Sequence, residues 1–253
     1  MPEGIKSQDR LPSRHLAWPQ CYNTRDLGGL LTQDGKETRW KAVIRSDILS
    51  RLTSKGHRAL LDYGVKTVID LRSPKEVERE PSITARNHDH HFRYFNLPLE
   101  KYDPYVSALI SEAKTRREVY CLILDHYPDA VVEIMRAMAK AQPGGIVVHC
   151  HAGKDRTGIV SALLLSLVGV PAELVCADYA ESQERLWPLY EKALAETKNR
   201  AELGFWDRPI ATVETMNMML EHIGTQHGGT EKYLRASGLL PAEIDQLKAR
   251  LLA

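Results

Sequence analysis

Residues 144–169 read GGIVVHCHAGKDRTGIVSALLLSLVG. The run Ile146 to Val148 is apolar and β-branched and leaves the turn signal Pro143-Gly144-Gly145, so it predicts a buried strand; the run after Gly158 has the length of a helix. Between them stands HCHAGKDRTG, His149 to Gly158. If the strand ends near Val148 and the helix starts near Arg156, residues 151–155 form a short loop at a helix N-terminus. Unpaired amides and the helix dipole there favour an anion.

Working outward, WKAVIRS (Trp40 to Ser46), KTVIDLR (Lys66 to Arg72) and FRYFNLPL (Phe92 to Leu99) read as further strands. Thr53 is placed to cap a helix that Gly64 closes, and Pro128 suits the first turn of another. Beyond Arg156 the pattern is helical: Pro171, Pro209 and Pro241 open helices, and Pro188 is expected to kink or end one. Strands alternating with helices, then a helical C-terminal part, predict an α/β fold with a small, mostly parallel central sheet flanked by helices. No internal repeat or linker divides the chain. The expectation is a single domain over 1–253, with an N-terminal extension at 1–20 and a helical insertion at 103–127.

The 34 lysines and arginines nearly cancel the 33 acidic residues, leaving a formal net charge of +1. No overall field draws this chain to nucleic acid or to an anionic membrane, so any anion selectivity must be local. The opening residues lack an apolar signal core and no segment has bilayer length, which predicts a cytoplasmic protein without membrane insertion. Cys21, Cys121, Cys150 and Cys176 are widely spaced and form no C-x-x-C pair, a pattern of reduced thiols rather than disulfides or zinc ligands. His149 and His151 flank Cys150, but adjacent strand residues face opposite sides of a sheet. No distant histidine pair shows matching ligand spacing. Neither a metal nor a cofactor is expected.

A cysteine on the floor of an amide cradle, with an arginine six positions on, is a nucleophile aimed at a tetrahedral anion. The helix dipole and the guanidinium favour its thiolate. The chemistry implied is phosphoryl transfer through a phosphocysteine, with inorganic phosphate as product. Arg156 would grip two phosphate oxygens as a bidentate fork and stabilise transition-state charge. The amides of His151, Ala152, Gly153 and Lys154 would line the cradle, and Gly153 would let the backbone turn sharply without a Cβ crowding the phosphate. Thr157 would donate its hydroxyl to the departing sulfur. The leaving oxygen needs an acid. Asp155 inside the loop is the first candidate, Asp70 at a strand's carboxyl end the second and Asp103 the third. Lys154 is either a solvated charge or a contact for a second acidic group of the substrate. Asp70 and Arg72 are expected beside the substrate, or as a pair bracing the loop with Arg72 also able to reach Glu76.

His149-Cys150 through Arg156-Thr157-Gly158 matches H-C-x5-R-[ST]-G, and the chain thereby resembles the protein tyrosine and dual-specificity phosphatases. With Lys154 and Asp155 in the loop it is most similar to their atypical, mycobacterial-type bacterial group, which includes lipid phosphatases. NTRDLGG (Asn23 to Gly29), RSDILSRL, VIDLRSPKEV, ADYAES and YLRASGL have counterparts there. The resemblance implies a cysteine-phosphatase fold and metal-free hydrolysis of phosphotyrosine, with phosphoserine, phosphothreonine or phosphoinositides as further substrates in some members. It also implies a helical lid after the third strand, hence the interest of 103–127. The Trp-Pro pairs continue to Gln20 and Leu189, so the chain lacks the Trp-Pro-Asp acid of better-known tyrosine phosphatases, which raises Asp155.

Three rivals are weaker. A nucleotide-binding P-loop needs glycine where Val148 stands and Ser or Thr where Asp155 stands. A rhodanese-like sulfurtransferase has a shorter loop. A catalytically weak phosphate-recognition module would not need Cys150, Arg156 and Thr157 together.

Overall fold

β5 (Gly145–His149) is the centre of a five-stranded sheet whose order is β1-β2-β5-β3-β4. The others are β1 (Arg25–Asp26), β2 (Val43–Ser46), β3 (Val65–Asp70) and β4 (Arg93–Asn96). β2, β5, β3 and β4 run parallel; β1 is antiparallel to β2 and escaped sequence reading because it is two residues long. The computed structural model describes residues 13–82, 91–196 and 208–252. Residues 1–12 of the expected N-terminal extension lie outside that range.

The period-two alternation of β5 sorts its side chains between two cores. Ile146, Val148 and Cys150 join the larger one, whereas Val147 joins the smaller one with Ile44, Val65 and Val68. Cys150 therefore faces the helical side, and His149 faces away from it, as strand geometry requires. Register brings Ser46, His149 and Asp70 level, so β2, β5 and β3 end together and their following loops share one edge of the sheet.

The helices are α1 (Ser54–Tyr63), α2 (Pro74–Arg79), α3 (Pro104–Glu112), α4 (Arg116–His126), α5 (Pro128–Ala139) and α6 (Asp155–Leu167), then α7 (Ala172–Glu196), α8 (Val213–His227), α9 (Thr230–Ala236) and α10 (Pro241–Leu251). Thr53 caps α1 by accepting from the Gly56 N–H, and Gly64 ends it at φ 94°. α6 follows the quoted loop directly and is buried on nearly all sides, which explains its almost uninterrupted apolar sequence.

Of the two outcomes expected at Pro188, a kink or an end, the helix does not end: α7 runs through it to Glu196. Pro188 and Glu184 are both exposed, so water can satisfy the carbonyl that loses its helical donor. The segment expected as a helical insertion, 103–127, divides unevenly between core and surface. α4 buries Val119, Tyr120, Ile123 and Leu124 in the main core, while α3 buries only Val106. No described helix is long and apolar enough to cross a membrane.

Candidate active site

The loop between β5 and α6 is held from behind through its carbonyls. Asn23 Nδ2 donates to the Ala152 and Gly153 carbonyls, both at 3.0 Å. Arg45 Nη2 donates to the Gly153 carbonyl at 2.8 Å, and the Ile48 N–H to that of His151 at 2.9 Å. Because a trans peptide points its C=O and N–H in opposite directions, carbonyls anchored outward turn the next amides inward. The first helical bond runs from the Gly158 N–H to the Lys154 carbonyl at 2.8 Å, so the preceding amides have no helical acceptor.

The anchors are themselves fixed by Asp178 of α7. Its carboxylate takes Arg25 Nε at 3.0 Å, Arg45 Nη1 at 2.7 Å and Arg14 Nη1 at 2.8 Å. Arg25 Nη1 also donates to Asn23 Oδ1 at 2.6 Å, so one guanidinium orients the amide that holds the loop. Burial alone would raise the Asp178 carboxyl, but Arg25, Arg45 and Arg14 hold it well below the usual carboxylate range. Burial and the adjacent Arg45 push Arg25 down to about 10, still cationic at neutral pH.

Cys150 is 2 % exposed and forms the floor of a 390 Å³ cavity. Its rim carries Glu76, Glu100, His151, Asp155 and Arg156, and Ile110, Val119, Tyr120 and Ile123 supply an apolar wall from α3 and α4. Arg156 forks onto Glu76, Nη1 to Oε2 at 2.7 Å and Nη2 to Oε1 at 2.8 Å. Burial alone would raise Glu76, but the fork outweighs it and sets the carboxyl at about 2. Glu100 lies 3.9 Å from Arg156 Nε. Its carboxyl is raised by burial against the cavity, with Glu76 and Asp155 adding to the effect against the pull of Arg156. A groove of 690 Å³, lined by Lys75, Lys101, Tyr102 and Tyr127, shares Glu76, Glu100, Ile110 and Arg156 with this cavity.

The sequence model described as "Tyrosine phosphatase family" matches residues 16–253. The chain belongs to that family. A tyrosine-protein phosphatase of Nostoc commune is 34% identical over 224 residues, covering 83% of this chain and 74% of the relative. A protein of Cupriavidus necator also named for tyrosine phosphatase activity is 28% identical over 250 residues, covering 95% and 89% respectively. The triple specificity protein phosphatase PtpB of Mycobacterium tuberculosis is 26% identical over 281 residues, covering 92% of this chain and 98% of PtpB.

Within this phosphatase site, Cys150, His151, Ala152, Asp155 and Arg156 come together around the cavity as the sequence suggests. Asp155 Oδ1 accepts from the Tyr120 hydroxyl at 2.5 Å and from Arg116 Nη1 at 3.2 Å, with Lys154 Nζ 3.3 Å away. Thr157 is fully buried at the start of α6, and its Oγ1 has no hydrogen-bond partner among the described residues.

The other assignments change. Lys154 is no solvated charge: it is 1 % exposed, and its Nζ donates to the Ile210 carbonyl at 3.1 Å while lying 3.3 Å from Asp155 Oδ1. Burial lowers its amine. Asp70 and Arg72 do not line the cavity and form the bracing pair that was the other expectation. Both are wholly buried and joined by a 2.6 Å ion pair, and Arg72 Nη1 goes to the Glu80 carbonyl rather than to Glu76. Tyr94 takes another Asp70 oxygen contact at 2.9 Å, so that carboxylate braces the loop that follows β3 and has no path to a leaving group. Asp103 caps α3 by accepting from the Tyr105 and Val106 N–H groups. Gly153 makes the sharp turn expected of it, and a further steric reason comes from behind the loop. At φ +64°, its Cβ would collide with the Ser46 carbonyl and the Asp47 nitrogen behind the loop. His149 Nδ1 donates to the Cys150 carbonyl at 3.0 Å and lies in the fold as backbone support. Arg116 is 4 % exposed and reaches the site through Asp155, to which its Nη1 donates.

Two expected outcomes follow from the anchoring of the loop. Gly153→Ala loses roughly 10²-fold in kcat/KM against an aryl phosphate, because the loop must shift off Ser46; the assay is steady-state kinetics, with circular dichroism checking the fold. Asp178→Asn leaves Arg25 and Arg45 uncompensated and lowers stability by about 3–5 kcal/mol at neutral pH, measured by urea unfolding. The folded Asp178 carboxyl lies below its unfolded value. Its contribution is therefore full above about pH 4 and is lost as pH falls further, so the acid slope of stability is shallower in Asp178→Asn.

Proposed function

We propose that the chain hydrolyses phosphotyrosine in proteins through a phosphocysteine, with phosphoserine, phosphothreonine and phosphoinositides as further candidate substrates. The carrying observation is the convergence of Cys150, Arg156 and the outward-pinned loop carbonyls on one cavity. Cys150 Sγ attacks phosphorus, the ester P–O bond breaks, and a carboxylic acid gives its proton to the leaving oxygen. Water then attacks phosphorus, the P–S bond breaks, and inorganic phosphate leaves while the carboxylate takes the water's proton. The loop amides and Arg156 supply the positive charge that the equatorial oxygens need. Glu76 holds one edge of the guanidinium, so Arg156 is aimed before substrate arrives and its remaining N–H groups meet phosphate. Thr157 Oγ1 is free to stabilise the sulfur as it departs.

Asp155 is the assigned acid. Among the described residues its hydrogen bonds and ion pairs engage Oδ1, which leaves Oδ2 for the leaving oxygen. A second reading assigns the proton to Glu100, whose raised carboxyl borders the same cavity 3.9 Å from Arg156. The triple specificity named for PtpB and the apolar groove beside the cavity support the wider substrate range.

In chelator-treated buffer, Cys150→Ser abolishes turnover of an aryl phosphate by on the order of 10⁴-fold or more while keeping competitive binding of phosphate. Undiminished turnover in that variant rejects the mechanism. Arg156→Lys costs roughly 10²–10³-fold, because an ammonium cannot reproduce the planar fork. The acid is identified by leaving-group dependence. The variant of the true acid, Asp155→Asn or Glu100→Gln, loses far more rate with alkyl than with nitrophenyl phosphates, and the other loses both alike.

A further inference from the structure

On the far side of α4 from the catalytic cavity, the fold assembles three ligating side chains that no sequence spacing announced. His222 and His227 come from α8, and Asp125 comes from the last turn of α4, 97 residues before His222. His222 Nε2 lies 2.8 Å and His227 Nε2 3.3 Å from the same oxygen, Asp125 Oδ1. The three ligand atoms fall within 4.8 Å of one another. Metal–nitrogen bonds of about 2.0–2.1 Å in a tetrahedron put neighbouring donor atoms roughly 3.3 Å apart; the His227–Asp125 pair stands at that distance and the His222–Asp125 pair at 2.8 Å would open by about half an ångström around an ion.

We propose that Asp125, His222 and His227 form a binding site for a borderline divalent cation of the zinc class, distinct from the phosphatase cavity. Two imidazoles and one carboxylate select zinc, nickel or copper over magnesium or calcium, which prefer oxygen donors alone. Three protein ligands leave a fourth position to water. The histidines are held in place: His227 packs on the Tyr233 ring at 4.9 Å, and Tyr233 donates its hydroxyl to the Leu124 carbonyl of α4 at 2.8 Å. The site opens on a 620 Å³ groove between α3, α4 and α8, so an ion has a path in. Its consequence is mechanical. The cation ties α8 to α4, the helix whose Arg116 and Tyr120 hold Asp155 and whose Val119 and Ile123 wall the catalytic cavity.

The test uses tag-free, chelator-stripped protein carrying Cys150→Ser, so that the catalytic thiolate does not compete for metal. Isothermal titration with zinc chloride is expected to show one saturable site per chain. Thermal unfolding at a hundredfold excess over Kd is expected to rise by roughly 5–10 °C. His222→Ala and His227→Ala in that background weaken binding by more than ~10-fold and remove the zinc-dependent rise. Asp125→Asn, which keeps the side chain's size, is the variant to read should a histidine variant fail to fold. No zinc binding by the Cys150→Ser protein, or binding and thermal shift unchanged in these variants, overturns the proposal. Neither result depends on turnover, so it leaves the assignment of the phosphatase mechanism untouched.

Discussion

A buried carboxylate between buried arginines sets the geometry on which the active site rests. Asp178, Arg25 and Arg45 are each no more than 2 % exposed, and taking such charges out of water is costly unless every one is paired. The charges are matched within the scaffold: Asp178 accepts from both guanidiniums and from Arg14, and other guanidinium donors reach Asn23, Ser182 and the Gly153 carbonyl. The catalytic loop is thus one of the acceptors that satisfy the network. Its inward amides follow from charge satisfaction in the scaffold and need no ligand to set them. Glu181 also pairs with Arg14 and Arg25, and the buried Asp47 carboxylate accepts from the Asn23 N–H, so the scaffold behind the loop is largely self-neutralised and the local anion preference rests on the inward amides and Arg156.

The opposite side of the cavity is negative. Glu76 and Glu100 flank Arg156, and Asp155 borders the same space. The Glu76 carboxylate is committed to Arg156, and burial raises Glu100. An arriving phosphate dianion therefore meets one fixed carboxylate, already neutralised by its fork, and a second that takes up a proton more readily. This arrangement lets Arg156 stay oriented without its acidic partner repelling the substrate.

Much of this was legible in HCHAGKDRTG, because the strand, the loop and the helix are local and their chemistry lies within ten residues. β2, β3 and β5 were legible too, since burial on both faces writes them as β-branched runs, whereas the partly exposed β4 is marked by its aromatic pair Tyr94-Phe95. What stayed hidden was assembled across the chain. Glu76 looked like a helical partner of Arg72, yet β3 and β5 are neighbours and bring it to Arg156. Asp70 looked functional because it ends a strand at the active edge, but Arg72 and Tyr94 use its oxygens first. Gly153 was expected to turn the loop sharply and has a further steric reason on its other side, which only the packing of Ser46 reveals. Tyr120 and Arg116 carried no signal beyond a helical pattern.

α4 is where stability and chemistry meet. Tyr120 is fully buried, and its hydroxyl bridges Asp155 at 2.5 Å and the Tyr179 hydroxyl at 2.7 Å. Tyr179 lies one residue after Asp178 on α7, so the helix that fixes the loop from behind also touches the residue that orients Asp155 in front. Displacing α4 would move an apolar wall and release an oxygen of Asp155 in a single motion. Because Val119, Ile123 and Leu124 anchor α4 in the core, that motion costs buried apolar area, at about 25 cal/mol per Å² exposed. α3, which buries Val106 alone, is the cheaper element to move. The cavity therefore has two walls of unequal stiffness: a fixed one that holds Asp155, the proposed acid, and a looser one at the mouth, where the cavity joins the larger groove.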